Sequence, residues 1–183
     1  MIKMPPAAHS KEGSRRLEAM FREHFDLIWR YLRRLGVEAS VVDDRAQEVF
    51  IVAARRTADI EEGRERSFLL ATAFRVASEA RRESARHRAR AADGEALAAL
   101  ASPLPSPEEN ALRAQMRALL DRVLDEMPAD IRAVFVLFEL EGMATREIAD
   151  ALELPMGTVA SRLRRGREIY ERHAARLSRK EAP

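Results

Sequence analysis

The sequence predicts an all-α chain of two small helical domains joined by a proline-rich linker, the second domain containing a helix-turn-helix. Three observations predict it. Apolar residues recur at three- and four-residue spacing along most of the chain, and only seven of 183 residues are glycine. No stretch alternates β-branched with polar residues as a half-buried strand would. Between the two periodic regions lies DGEALAALASPLPSPEEN, Asp93 to Asn110, where Pro103, Pro105 and Pro107 and a net acidic balance read as a linker. The expected organisation is a tail over 1–13, an N-terminal helical domain over 14–90, the linker over 91–109, a C-terminal domain over 110–177 and a tail over 178–183.

Leu17, Met20, Phe21, His24, Phe25, Ile28, Leu32 and Leu35 define an amphipathic first helix, stopped by Gly36. His24 on this stripe reads as a core-edge histidine. Ser40 with Asp43 three residues later resembles a capping box, starting a second helix through Arg56. Val42, Ala46, Val49 and Ala53 form its buried stripe, while Asp44, Gln47 and Ile51 share the far side with Glu48 and Arg55 beside them. An apolar centre with a polar rim is how protein contacts are built, although a single exposed isoleucine is equally ordinary. After the charged loop DIEEGRER, a third helix runs from Ser67 to Arg90. Its arginine-dense end, with Arg81, Arg82, Arg86, Arg88 and Arg90, reads as a solvated cation cluster at a helix C-terminus or as a phosphate-tracking element.

In the second domain, Leu112, Met116, Leu119, Val123 and Met127 line one helix. Pro128 starts the next, which carries Ile131, Val134, Phe135 and Phe138 and ends at Gly142. Ile148, Ala149 and Leu152 are the apolar side of a short helix whose N-cap falls on Thr145 or on Ala144, which has no side-chain acceptor. A tight turn through Glu153 and Leu154 then meets Pro155, a residue suited to a first helical turn. On the last helix Val159, Leu163, Gly166 and Tyr170 cluster on one side with Met156 beside them. Ser161, Arg164, Arg165 and Glu168 fall opposite, with Thr158 and Arg162 on the flanks. Gly157, Thr158 and Ser161 keep the first turns slim. In the major groove, arginine binds guanine bidentately and hydroxyls reach phosphates or base edges. Two helices joined by so short a turn, the second one basic, make a helix-turn-helix.

Composition excludes several function classes. The chain has no cysteine, which removes disulfides, thiolate metal sites and thiol catalysis. Formal net charge is +2, so any basic surface arises from segregated charge, nearly all of it arginine because only Lys3, Lys11 and Lys180 are lysines. No apolar run approaches the roughly 20 residues of a membrane span, and MIKMPPAAHSKEGS lacks the apolar segment of a signal peptide. A cytoplasmic chain without direct membrane insertion is expected. Asp43, Asp44 and Glu48 lie on differing helix faces with no paired histidine, and Glu83 and His87 read as an (i, i+4) surface pair. With no phosphate-cradling glycine loop and no nucleophile–base motif, the expectation is no enzyme activity, no catalytic residue, no metal and no cofactor.

VDDRAQEVFIVAAR, RSFLLATAFRVASEARR and MPADIRAVFVLFELEGMATREIADALELPMGTVASRLRRGR together resemble the extracytoplasmic-function sigma factors, small bacterial initiation factors of the primary-sigma superfamily. Their order and the proline-rich gap match as well. The resemblance implies a factor that binds the core of RNA polymerase and directs it to promoters by recognising the −35 element and by recognising and melting the −10 element. It implies docking on the polymerase clamp helices through Asp44, Gln47, Glu48 and Ile51, with Phe50 buried. The loop Asp59–Arg66 and the following helix match the −10 element reader, which implicates Arg64, Arg66, Arg75, Arg81 and Arg82. Thr158, Ala160, Ser161, Arg162, Arg164 and Arg165 occupy the −35 positions. Promoter DNA and an anti-sigma factor are further implied partners, the latter a means of holding the chain at the inner membrane face.

The chain departs from the family at Phe68, where tryptophan is common, and at Arg75, where asparagine is. Arg45 stands for a usual leucine, Ala144 for a capping serine and Ala160 for an often basic residue. No long extension follows Pro183, so regulation is expected from outside the chain. Two other readings compete: a stand-alone dimeric helix-turn-helix regulator, and a nucleic-acid-processing enzyme targeted by such a domain.

Overall fold

The computed structural model describes residues 11–91, 116 and 118–181. The linker core, both chain ends and Leu112 lie outside the described residues. Those described form α1 (Lys11–Arg34), α2 (Val42–Arg55), a 3-10 turn (Thr57–Asp59), α3 (Glu65–Ala91) and α4 (118–125). They continue with α5 (Ala129–Phe135), a π turn (Val136–Leu140), α6 (Thr145–Leu152) and α7 (Met156–Glu181), and include no strand.

The expected apolar stripes of α1 and α2 face inward: Ile28, Leu32, Leu35, Ala46, Val49 and Ala53 are buried with Leu69, Leu70 and Ala73 of α3. Gly36 ends α1 with φ +88°, and Val37 N–H closes on the Leu32 carbonyl at 3.1 Å, an arrangement that favours a residue without Cβ. Arg16 then staples α1 to the segment before α3, donating to the Ile60 carbonyl at 2.7 Å and to Glu65.

The start of α2 differs from expectation. Val41 is the N-cap, with no side-chain cap bond. The chain turns at 38–41, where Val41 N–H reaches the Glu38 carbonyl, so the first helical carbonyl is that of Val41 and not of Ser40. Asp43, the expected partner in a capping box, accepts instead from Trp29 Nε1 at 2.7 Å.

In the C-terminal half α5 and α7 pack closely, burying Val134, Phe135, Val159 and Leu163. Gly166 permits this approach: a Cβ there would lie 2.8 Å from Phe135 Cδ2. The inward stripe expected on α7 is correct at Val159, Leu163 and Gly166 but not at its ends. Tyr170 is 46% exposed and Met156 is exposed, while Ile169 is buried. Phe135 already fills the space below Tyr170, so the tyrosine ring stacks over it, centroids 6.0 Å apart, with its outer side in solvent.

The two halves are docked. α3 packs along α6, α1 meets the π turn, and the buried residues of both halves form one cluster. Glu141 follows the π turn with its side chain only 5% exposed, gripped by Arg30 at 3.1 Å and Arg34 at 2.5 Å. Ala151, outside the apolar side read for the short helix, is buried too. Adding a methyl group where a Cβ already meets a ring overpacks the core. Gly166→Ala is therefore expected to lower stability by about 1–3 kcal/mol in urea unfolding.

A candidate nucleic-acid interface

The helix-turn-helix is assembled from short-range chemistry. Ala144 is the N-cap of α6, in extended conformation at φ −68° and ψ 150°. Glu147 Oε2 accepts from the Ala144 N–H at 2.7 Å, one half of a capping box; alanine has no oxygen to supply the other half. Glu153 ends α6 in the left-handed region at φ 54°, and Leu154 N–H returns to the Ala149 carbonyl at 2.9 Å. Pro155 then accepts from Thr158 N–H at 2.9 Å as α7 begins. Buried Ile148 and Val159 fix the two helices against the core.

That geometry turns one face of α7 outward. Ala160, Ser161, Arg164 and Arg165 are exposed, the two arginine side chains by 76% and 63%. Ser161 Oγ donates to the Thr158 carbonyl at 3.0 Å. Glu168 holds both arginines, Arg164 at 2.8 Å and Arg165 at 3.3 Å, so their charge is part-neutralised but their forked donors stay at the surface. Thr158 is half-buried, and Arg162, only 25% exposed, pairs with Asp130 of α5 at 3.1 Å. Arg162 is thus committed to the fold.

The arginines expected on the −10 surface do not gather in one place. Arg64 and Arg75 line a cavity of about 680 Å³ beside Phe68 and Thr72. Its opposite wall is α6 and the turn after it, and Arg64 reaches Asp150 across the gap at 3.5 Å. Arg56 lies over the Phe68 ring, 5.5 Å from its centroid, where the ring face attracts a cation. Arg66 is half-buried on the side of α1; burial lowers the His24 pKa, and Arg66 adds to that against the opposing Glu23 and Glu65. Arg81 and Arg82 line a separate cavity farther along α3.

On α2, Asp44, Gln47 and Ile51 are exposed together and Phe50 is buried. Glu48 is held by Arg45 at 2.9 Å, and Arg45 also reaches Glu83 of α3 at 2.5 Å. Glu83 therefore serves as a cross-link between helices and forms no ion pair with His87 among the described residues. Phe21 is exposed, its ring 4.7 Å from Phe25 and 4.9 Å from Phe50. Helical periodicity could not reveal the Arg45–Glu83 link, because it depends on how α2 crosses α3. Among the described residues no helix is long and apolar enough to cross a membrane, and Asp43, Asp44 and Glu48 form no metal-holding group.

A short helix, a left-handed turn and an outward basic helix define a helix-turn-helix protein, and the family model "Sigma-70, region 4" matches residues 117–169. The ECF RNA polymerase sigma factor SigE of Mycolicibacterium smegmatis is 29% identical over 163 residues, 88% of this chain. The chain spans 62% of the length of that relative. The fold is shared with the sigma factor RpoE of Bartonella quintana, solved with the anti-sigma factor NepR. That likeness has TM-score 0.65 and 16% identity, covering 91% of this chain and 98% of that one. CnrH, solved with the cytosolic domain of CnrY, gives TM-score 0.64 at 22% identity, covering 96% and 94%. Residues 117–169 thus carry a sigma-70 region 4, and over most of its length the chain is similar to extracytoplasmic-function sigma factors.

The half-formed cap of α6 leaves a measurable gain. Ala144→Ser supplies the missing oxygen and is expected to stabilise the fold by about 1 kcal/mol, read as a higher thermal midpoint.

Proposed function

We propose that this chain is a transcription initiation factor that binds the core of RNA polymerase and directs it to specific promoters. What carries the reading is the pair of outward faces on separate helices: Ala160, Ser161, Arg164 and Arg165 on α7, and Asp44, Gln47 and Ile51 on α2. The α7 face suits the major groove of a −35 element, with Arg164 and Arg165 as base or phosphate readers. The α2 face, apolar at Ile51 and polar around it, suits the polymerase clamp helices, with Glu48 at its edge. Arg64 and Arg75 beside Phe68 suit phosphate and base contacts to the opened −10 strand. Arg162, paired with Asp130 of α5, acts as a support for the recognition helix.

In the docked arrangement α6 and residues 153–155 form the opposite wall of the cavity that Arg64 and Arg75 line, both arginines staying exposed. A strand seated along that wall would be hemmed in by α6 unless the halves part, and polymerase supplies that separation by binding each half at its own station. Linked weak contacts reinforce each other through effective concentration. The polymerase, not this chain, performs the chemistry. The setting is the cytoplasm, and a protein of the anti-sigma class is the expected regulator, as the solved relatives RpoE and CnrH were captured with NepR and with CnrY.

Multi-round transcription with purified bacterial core polymerase and a promoter library tests this. The full chain should yield discrete transcripts. Arg165→Ala should weaken use of each promoter by about 1–3 kcal/mol of −35 binding, and Asp44→Ala should abolish core-dependent initiation while leaving duplex binding intact. No transcript, together with tight duplex binding by the chain alone, would establish a stand-alone regulator instead.

A further inference from the structure

Five arginines converge on one cavity of about 810 Å³ between the two halves: Arg33 and Arg34 from α1, Arg81 and Arg82 from α3, and Arg132 from α5. Three of them are engaged. Arg33 donates to the Val37 carbonyl at 2.5 Å, Arg34 to Glu141, and Arg132 to Asp125 at 3.1 Å. Arg81 and Arg82 have no carboxylate partner among the described residues. Facing them, the cavity offers Glu38, Asp121 and Asp125, fewer carboxylates than arginines.

Arg132 is the most telling member. Its side chain is 2% exposed, its Nε is buried without a hydrogen-bond partner, and its one ion-pair partner, Asp125, sits 70% in solvent. A Cβ on Gly36 would lie 2.8 Å from Arg132 Nη1 and 3.9 Å from Arg81 Nε. Two guanidinium groups from opposite halves therefore approach the same glycine. Burial and the neighbouring Arg81 disfavour the charge on Arg132 by more than Asp125 and Asp121 favour it, and its pKa is lowered. Like charges brought together in a partly desolvated place call for an anion between them. Guanidinium groups bind phosphate oxygens through paired donors, which makes phosphate the best chemical match. The cavity has room for more than one phosphate group, and the Ser84 hydroxyl lines it as well.

We infer that this inter-half cavity is a binding site for a small oligophosphate, a free diphosphate or the diphosphate end of a nucleotide, held between Arg81, Arg82 and Arg132. Because its walls come from both halves, the anion favours the docked arrangement over any in which the halves separate. The inference concerns a different cavity from the one that Arg64 and Arg75 line.

The probe is inorganic pyrophosphate, titrated calorimetrically into the full chain at low salt. One saturable site is expected. Arg81→Ala/Arg82→Ala, two surface-accessible positions, should weaken it at least tenfold while circular dichroism stays unchanged. Asp125→Asn removes the competing carboxylate and should tighten binding severalfold, a gain that misfolding cannot imitate. Arg164→Ala/Arg165→Ala should leave the affinity as it was. No saturable binding at millimolar pyrophosphate overturns the inference. So does binding that ignores the α3 pair and is lost with the α7 pair, which would assign the anion to the DNA-facing helix.

Discussion

The docked arrangement of this chain depends on Glu141. Its carboxylate is almost wholly enclosed, and Arg30 and Arg34 reach it from the other half. Desolvating a carboxylate is expensive, so such a pair adds little net stability over an apolar contact of similar volume; losing one partner, however, costs about 3–5 kcal/mol. The grip therefore sets the register of docking more than its strength. The attraction itself comes from the apolar surface that α3 and α6 remove from water where they pack. The π turn matters here because it sends the Glu141 N–H back to the Val136 carbonyl at 3.1 Å and delivers the carboxylate to α1.

Docking treats the two surfaces proposed to face DNA differently. The α7 face lies away from the N-terminal half and keeps Arg164 and Arg165 exposed. The Arg64–Arg75 surface faces α6 across a cavity that the turn at Glu153 helps to close. The ion pairs that span the gap differ in character: Arg64–Asp150 is half-exposed at both ends and therefore weak, whereas the Glu141 grip is buried. Of the two links, only the one at the α1 end fixes the register of docking.

Much of this was legible in the residues alone. The all-α class, the stripes of α1 and α2, the stop at Gly36 and the outward face of α7 follow from local periodicity and turn chemistry, and the region 4 match and sigma-factor relatives agree with the family reading. The parts that were not legible share one cause: they depend on which helix lies against which. Ser40 looked like a cap, yet the turn at 38–41 moves the helix start to Val41. Tyr170 looked buried, yet Phe135 occupies its place against Gly166. Arg45 and Glu83 are 38 residues apart and meet only because α2 crosses α3. Arg132 lies in a stretch read for Ile131, Val134 and Phe135, and nothing in its spacing signals a buried charge. Ala151 and the divergence of Arg66, Arg81 and Arg82 from Arg64 and Arg75 become visible only with the halves docked.

The central claim, that Glu141 sets how the two halves of the free chain dock, is open to a direct distance measurement. The chain contains no cysteine, so Glu79→Cys and Arg146→Cys create a unique pair of exposed labelling sites on α3 and α6 without further changes. Pulsed electron–electron double resonance on the spin-labelled protein should give one narrow distance distribution, and adding Glu141→Ala should broaden it toward longer distances. A broad distribution before Glu141 is touched, unchanged by its removal, would contradict the account.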